Sequence, residues 1–398
     1  MLRILIAFLF LITPLHARIT PLGSAPDWKE LDGFQETITR EEFKKLLEEV
    51  YAPNGASDDW ITIGDNSALI KTRNGSYDLR FAATRADARA VPSFWQPRSA
   101  IPAPPAGKPL AGVTVAIDPG HIGGKWAKME ERWFRIGNTK PVTEGDMTLL
   151  VAKKIAGQLT DLGAKVYLTR SKPSPVTSLR PEKLTDEARA SLRDRDLRAT
   201  SFSLQKETER LFYRVGEIRR RAKLVNESIK PDIVLCLHFN AEAWGNPDKP
   251  ELVDVSHLHF LITGAWNAEE LSYEDQRFEM LVKMLSRAYP EEFGVTKAVA
   301  KTMARDTRLP PYNYTGSNAV RVEGHPFIYA RNLLANRLFR CPVVYIEPYV
   351  MNNRHDFARI QAGDYEGTRN FAGIPRKSIY REYADSVVEG LVDYYSQR

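Results

Sequence analysis

Three apolar, strand-like segments, each followed closely by a polar side chain, constrain this chain more than any other feature. The segments and the residues that they lead to are 113–117 with His121, 233–237 with His238, and 343–346 with Glu347. In open α/β sheets, binding sites form beyond the carboxyl ends of the strands, so these side chains can converge if the strands are parallel neighbours. The three segments therefore predict a polar site at one edge of a sheet.

Helical and strand-like patterns alternate along the chain after residue 110. Apolar residues recur at helical spacing in several segments, with short apolar runs between them. The predicted helices are 146–162, 208–226, 275–289, 291–303 and 379–395, and a further strand is predicted at 165–169. Such alternation is typical of α/β proteins. We therefore predict an α/β fold with an open, largely parallel or mixed sheet flanked by helices, and a small N-terminal α+β module.

The region before residue 110 contains the predicted module and a linker. Thr39 and Glu42 have the spacing of a capping box at the start of a helix, and three short strand-like runs with an Asn-Gly hairpin signal follow. The proline-rich stretch favours an extended connector. The predicted parts of the chain are a signal peptide at 1–17, a small module at 20–90, a linker at 91–110 and a larger domain at 111–398.

The first residues have the pattern of a secretory signal. A basic start precedes an apolar run at 4–12 and a small residue, Ala17. The apolar run is much shorter than the ~20 residues that a membrane-spanning helix requires. We therefore expect a protein that is exported to the periplasm or the cell exterior without a stable transmembrane anchor, the alternative being an uncleaved anchor.

Charge and cysteine content narrow the possible partners and covalent links. The net charge is +6, and residues 171–221 mix both signs of charge, which is typical of a solvated helical surface. We therefore expect no nucleic-acid partner. If the strands near Cys236 and Cys341 align at their ends, the two cysteines are offset by about 13 Å, whereas a disulfide requires Cα atoms within ~7 Å. We expect both cysteines to stay free.

Two histidines and one carboxylate form a candidate metal-binding set. Glu144 lies just before the predicted helix at 146–162, where it can reach the same sheet edge as His121 and His238. Two His and one Glu are a recognised ligand set for catalytic zinc. Taken alone, these residues could be a turn residue, a core histidine and a carboxylate favoured by a helix dipole. Glu347 is harder to explain in that way, because a buried carboxylate needs a partner or a metal.

Four motifs occur in a fixed order along the larger domain. They are Ala-Ile-Asp-Pro-Gly-His-Ile-Gly-Gly at 116–124, Glu144 before Leu-Leu-Val-Ala at 149–152, Leu-Cys-Leu-His-Phe-Asn-Ala at 235–241, and Pro-Val-Val-Tyr-Ile-Glu at 342–347 with Asn-Asn at 352–353. From residue 112 to its end, the chain resembles the zinc-dependent N-acetylmuramoyl-L-alanine amidases. That resemblance implies hydrolysis of the amide bond between N-acetylmuramic acid and L-alanine in peptidoglycan.

The resemblance also implies roles for individual residues. It places one zinc ion on His121, Glu144 and His238. It makes Glu347 the catalytic glutamate that acts on the attacking water. Arg331, in Tyr-Ala-Arg-Asn at 329–332, resembles a recurrent arginine of the family, and we expect it to bind substrate.

Departures from the family pattern leave some functional questions open. The loop at 125–143 is longer than usual, and residues 171–211 look inserted. Trp126, Trp133 and Phe134 in the long loop could stack against substrate or anchor their own loop. Two other functions remain open, namely a zinc peptidase that cuts within the stem peptide and a wall-binding or regulatory protein without turnover. The sequence does not identify an activator or assign a role to the N-terminal module.

Overall fold

The computed structural model describes residues 18–243 and 249–397. The predicted signal peptide lies outside the described residues. Among the helices of the described part, none is long and apolar enough to cross a membrane.

The N-terminal module contains a short helix and an antiparallel sheet. Helix α1 covers Arg40–Leu46 and continues as a π turn at Leu47–Tyr51. Thr39 and Glu42 form the predicted capping box at its start. The three strands are β1 (Ile61–Ile63), β2 (Ser67–Thr72) and β3 (Gly75–Arg80), paired in that order. The predicted helix start and the predicted strands are confirmed.

A seven-stranded sheet forms the centre of the larger domain. Its strands are β4 (Thr114–Pro119), β7 (Lys165–Leu168), β8 (Ile233–Leu237), β9 (Leu258–Thr263), β10 (Val320–Arg321), β11 (Ile328–Arg331) and β12 (Val343–Pro348), and the short strands β5 (Trp133–Phe134) and β6 (Val142–Thr143) pair outside it. The order across the sheet is β10, β11, β9, β12, β8, β4, β7. Strands β7, β4, β8 and β12 are parallel, whereas β9 is antiparallel to β12. The predicted mixed α/β fold is confirmed.

Helices cover both faces of this sheet. They are α2 (Glu144–Asp161), α3 (Thr185–Asp194), α4 (Ser201–Arg210), α5 (Glu217–Lys223), α6 (Ala268–Leu271), α7 (Glu274–Leu285), α8 (Ala288–Thr307), α9 (Leu334–Leu338), α10 (Arg354–Gln361) and α11 (Ile379–Tyr395), with a hairpin of β13 (Arg369–Phe371) and β14 (Ile374–Arg376) before the last helix. Helices α2, α8 and α11 pack on one face, and α5 and α9 pack on the other. Because alternate strand residues point to opposite faces, the central strands are apolar on both sides.

Two predicted element boundaries near the site are wrong. Helix α2 begins at Glu144 itself, two residues earlier than predicted, because the chain enters the helix directly from β6. Strand β12 extends through Pro348, so Glu347 lies within the strand instead of following it. The reason is that β12 pairs with β9 as well as with β8, and the antiparallel ladder with β9 continues through Glu347 and Pro348.

The module, the proline-rich segment and the larger domain are packed together. The indole of Trp28 makes an edge contact with Phe278, with ring centroids 5.5 Å apart. The guanidinium of Arg277 lies 4.1 Å above the ring of Trp60. In the proline-rich segment, Trp95 and Ile101 are buried. Apolar residues of the module and of the sheet therefore belong to one continuous core.

Both cysteines are free and buried, as predicted. In the register between β8 and β12, Cys236 lies opposite Tyr345. Tyr345 comes four residues after Cys341 in the sequence. Both cysteine side chains belong to one apolar cluster, on the face of the sheet that α5 and α9 cover.

Candidate active site

His121 lies at the end of β4 in an unusual backbone conformation. Its φ of 59° is in the left-handed region, which is sparsely populated by residues other than glycine. The surrounding structure holds this turn in place, since Arg221 Nη2 donates to the His121 carbonyl at 2.8 Å. Arg170 also donates to the carbonyls of Pro119 and Gly120. A strained backbone conformation persists only where surrounding contacts hold it, and these hydrogen bonds hold the turn that carries the imidazole.

Glu144 lies between the two histidines. Its Oε2 is 3.1 Å from His121 Nε2, and its Oε1 is 3.0 Å from His238 Nδ1. One ligand atom from each of the three residues falls within 4.8 Å of the others. As the first residue of α2, Glu144 also has its charge at the helix end where the dipole favours an anion. The three predicted ligands therefore form one cluster.

His238 follows β8 and is held by close packing on both sides. Its ring stacks on Tyr345, with centroids 4.4 Å apart and planes inclined by 13°. On the other side it lies against the backbone of Gly120, where an added Cβ would be 2.3 Å from His238 Cε1. Only glycine at this position leaves room for the imidazole.

The charges of the cluster are strongly coupled. Although burial opposes the charged imidazole, the carboxylates of Glu144 and Glu130 raise the pKa of His121 to about 9. Burial also opposes ionisation of Glu144, but His121 and His238 hold the pKa of this carboxyl well below its usual value. Burial lowers the pKa of His238 below its usual value. The cluster thus combines one ionised carboxylate with two imidazoles at a buried edge of the sheet.

Glu347 faces the same cleft from β12. It lies opposite His259 in the antiparallel register with β9. Burial, together with the negative charge of Glu144, raises the pKa of Glu347 to about 8. The cleft has a volume of about 710 Å³, and Glu347 lines it with the three clustered residues. A carboxyl group with such a pKa can take up and release a proton near neutral pH.

The comparison with protein families agrees with the motif order. The family model described as N-acetylmuramoyl-L-alanine amidase matches residues 115–372, which is most of the chain. The chain belongs to this family. The protein is therefore an amidase, a hydrolase of amide bonds.

Several solved amidase structures are similar at low sequence identity. The N-acetylmuramyl-L-alanine amidase of Mycobacterium smegmatis is 16% identical, and the alignment covers 73% of this chain and 99% of that one with a TM-score of 0.40. An amidase of Nostoc punctiforme is 15% identical, and the alignment covers 72% of this chain and 98% of that one with a TM-score of 0.38. An amidase of Clostridioides difficile, solved in complex with a lipoprotein, is 14% identical. Its alignment covers 72% of this chain and 100% of that one with a TM-score of 0.39. The comparison with curated proteins finds no match.

Arg331 also reaches the cleft of this amidase. It is the last residue of β11, and its Nη1 donates to the hydroxyl of Tyr314 at 3.3 Å. Tyr314 in turn contacts His259 Nε2 at 3.0 Å. The positive charge of Arg331 acts on Glu347, since it is one of the groups that oppose the rise in the Glu347 pKa. The structure thus places this predicted residue beside the other four.

The aromatic residues of the 125–143 loop differ in their surroundings. Trp126 packs against Phe212, with ring centroids 5.2 Å apart. Phe134 is buried and packs against Phe357 at 6.0 Å. Trp133 is partly buried, with Lys128 Nζ 4.3 Å from its ring centroid. Phe134 therefore anchors its own loop and is not available to stack on substrate.

Sequence reasoning did not find two residues of the same loop that contact the predicted ligands. Arg132 Nε lies 3.3 Å from Glu144 Oε2. Glu130 Oε1 lies 3.7 Å from His121 Nδ1. Neither residue follows a strand or fits a helical period. The sequence pattern therefore does not distinguish these two residues from other charged residues in loops. The one available signal was the unusual length of the loop between two candidate ligands.

Proposed function

We propose that this amidase is a zinc enzyme in which one metal ion is held by His121, Glu144 and His238. The observation that supports this proposal is the convergence of two imidazole nitrogens and a carboxylate oxygen within 4.8 Å at the end of neighbouring strands. This donor set fits zinc, because catalytic zinc commonly takes three nitrogen or oxygen ligands and keeps one position open. The three residues therefore suit a zinc ion in their side-chain type, their mutual distance and their burial.

Zinc would supply two effects when bound, because it polarises a carbonyl and lowers the pKa of water from 15.7 to about 7. The protein would supply the proton transfer. Glu347 accepts a proton from the attacking water and passes it to the leaving nitrogen of the amide. The position of Glu347 supports this role, because its carboxyl group lines the same cleft as the three proposed ligands.

The family indicates which bond of the substrate is cut, and the sequence indicates where in the cell envelope the protein acts. The bond is the amide between N-acetylmuramic acid and L-alanine in peptidoglycan. Because peptidoglycan lies outside the cytoplasmic membrane, we propose that the protein is exported through its signal-like residues 1–17. We also propose that residues 111–398 form the catalytic domain, which contains the whole family match at 115–372.

Product analysis tests the proposed reaction. Peptidoglycan is incubated with the purified protein, with the protein plus chelator, and with the chelated protein after zinc is restored. Mass spectrometry should detect stem peptides with a free L-alanine amino group and glycan strands without peptide, only when zinc is present. A zinc peptidase would instead free an internal amine and leave L-alanine attached to muramic acid. A wall-binding protein would release no peptide under any condition.

Arg331 is proposed to bind an anionic or carbonyl group of the substrate. Arg331→Ala should raise KM by roughly 10–100-fold, because a hydrogen bond to a charged group contributes about 1.5–3 kcal/mol to binding. Steady-state kinetics with soluble muropeptides would measure the change. Arg321 is the control, because its guanidinium bonds to Asn313 and Tyr329. If Arg331→Ala and Arg321→Ala give the same KM as the wild type, Arg331 does not bind substrate.

A further inference from the structure

Glu130 is a deeply buried carboxylate within the long loop between the first two ligands. Only 2% of its surface is exposed. Its two oxygens accept hydrogen bonds from the backbone N–H of Ile122, at 2.9 and 3.0 Å, and from that of Gly123, at 3.1 Å. The carboxylate therefore closes the turn immediately after His121.

The same carboxylate faces the outer nitrogen of His121. Glu130 Oε1 lies 3.7 Å from His121 Nδ1, while the opposite nitrogen, Nε2, lies 3.1 Å from Glu144 Oε2. The imidazole is thus placed between two carboxylates, with one nitrogen directed into the ligand cluster and the other directed away from it. A histidine that binds metal through one nitrogen commonly donates the N–H of the other nitrogen to a carboxylate.

Glu130 differs from the buried Glu217 in that, within the described part of the chain, no lysine or arginine lies within ion-pair distance of its carboxylate. Glu217 pairs with Arg221 at 2.9 Å. The carboxylate of Glu130 faces the imidazole of His121. Burial of a carboxylate without compensation is costly, so its charge must be offset by the three N–H contacts and by the site. Although burial favours the neutral acid, His121 and these N–H groups keep the pKa of Glu130 below its usual value.

We propose that Glu130 is a positioning residue of the metal centre, which holds the His121 ring so that Nε2 faces the metal and Nδ1 carries the proton. The inference rests on the proposed function, since it assumes that His121 is a zinc ligand. Glu130 belongs to the long 125–143 loop, which brings its carboxylate to His121 before the chain reaches Glu144.

Zinc affinity, measured by competition with a chromophoric chelator, tests this inference. Glu130→Gln keeps an oxygen acceptor for the backbone N–H groups but removes the charge that faces Nδ1. We expect this variant to bind zinc roughly 10–100-fold more weakly than the wild type. Glu130→Asp keeps the charge and should lie between the two. Glu131→Gln is the matched control, because Glu131 is its neighbour in the same loop, but its side chain is exposed and pairs with Lys206 at 2.9 Å.

Two further readouts separate positioning from a loss of stability. The zinc-induced rise of the thermal midpoint is measured within each variant, so that a lower starting stability does not enter the comparison. The visible spectrum of the Co²⁺-loaded protein at saturation reports ligand geometry, and it should change in Glu130→Gln but not in Glu131→Gln. Equal zinc affinities and equal spectra for these two variants would overturn the inference. Absence of zinc binding by the wild type would instead overturn the proposed metal site.

Discussion

At the scale of single residues, the site depends on side chains that are fixed by their neighbours before any ligand arrives. His121 adopts a left-handed backbone that Arg221 supports through the His121 carbonyl. His238 is held between the Tyr345 ring and the backbone of Gly120. Such restraints lower the cost of organising the site when it binds metal and substrate. Two substitutions test the site at this scale.

Glu347→Gln tests the proposed proton transfer. The amide side chain keeps the shape of Glu347 but cannot take up the proton of the attacking water, so kcat should fall by roughly 10²–10⁴-fold. Zinc content, measured by atomic absorption, should stay at the wild-type value because Glu347 is not one of the three clustered ligands. Glu242→Gln alters another carboxylate of the cleft and is the control. Normal turnover by Glu347→Gln would exclude the assigned role.

Gly120→Ala tests the packing beside His238. The new methyl group would lie 2.3 Å from His238 Cε1, so the imidazole must shift from its present position. We expect zinc affinity to fall by roughly 10–100-fold, as for other changes that disturb ligand orientation. Gly157→Ala in α2 is the control, because nothing lies within 4 Å of its added Cβ. An unchanged affinity in Gly120→Ala would mean that His238 does not need its present position.

At the scale of secondary structure, each of the three proposed ligands lies at or just beyond the end of a regular element. Strands β4 and β8 deliver the histidines, and the first residue of α2 delivers Glu144. Strand β12 carries Glu347, and the first residue of this strand bonds to a buried ion pair between α7 and α8. There, Lys283 Nζ lies 2.6 Å from Glu292 Oε1, and the same oxygen accepts from the backbone N–H of Val343 at the start of β12.

Lys283→Ala tests this link between α7, α8 and β12. Both charged side chains are fully buried, so removal of the lysine leaves Glu292 uncompensated and should cost about 3–5 kcal/mol of unfolding free energy. Urea denaturation would measure the loss, and Lys283→Met combined with Glu292→Gln should recover much of it. Arg305→Ala breaks an exposed pair with Glu389 and should change little. Equal effects of Lys283→Ala and Arg305→Ala would show that burial of the first pair is unimportant.

At the scale of the whole molecule, the N-terminal module and the catalytic sheet share one apolar core. Binding at the sheet edge is therefore coupled to the stability of a large cooperative unit. Glu144 and His238 are themselves buried, so any ion that binds them binds the folded chain in preference to the unfolded one.

Metal removal tests this coupling. Zinc at about a thousand times its dissociation constant should stabilise the fold by about 4 kcal/mol. Treatment with chelator should therefore lower the thermal midpoint by several degrees, and added zinc should restore it. Calorimetry would measure both steps, and Mg²⁺ serves as a control because it prefers oxygen ligands. A midpoint that does not respond to zinc would contradict a metal site within the folded structure.

The sequence by itself determined the fold class and the position of several main elements, and it predicted the three residues that cluster at the sheet edge. Runs such as 233–237 and the stripe of 379–395 match the observed β8 and α11, because burial at a fixed period is a local property of the chain. Only the tertiary structure decided that β12 continues through Glu347 and that Glu130 and Arg132 reach the ligands. These features depend on contacts between distant segments and on the path of an irregular loop, and neither has a period that the sequence could reveal.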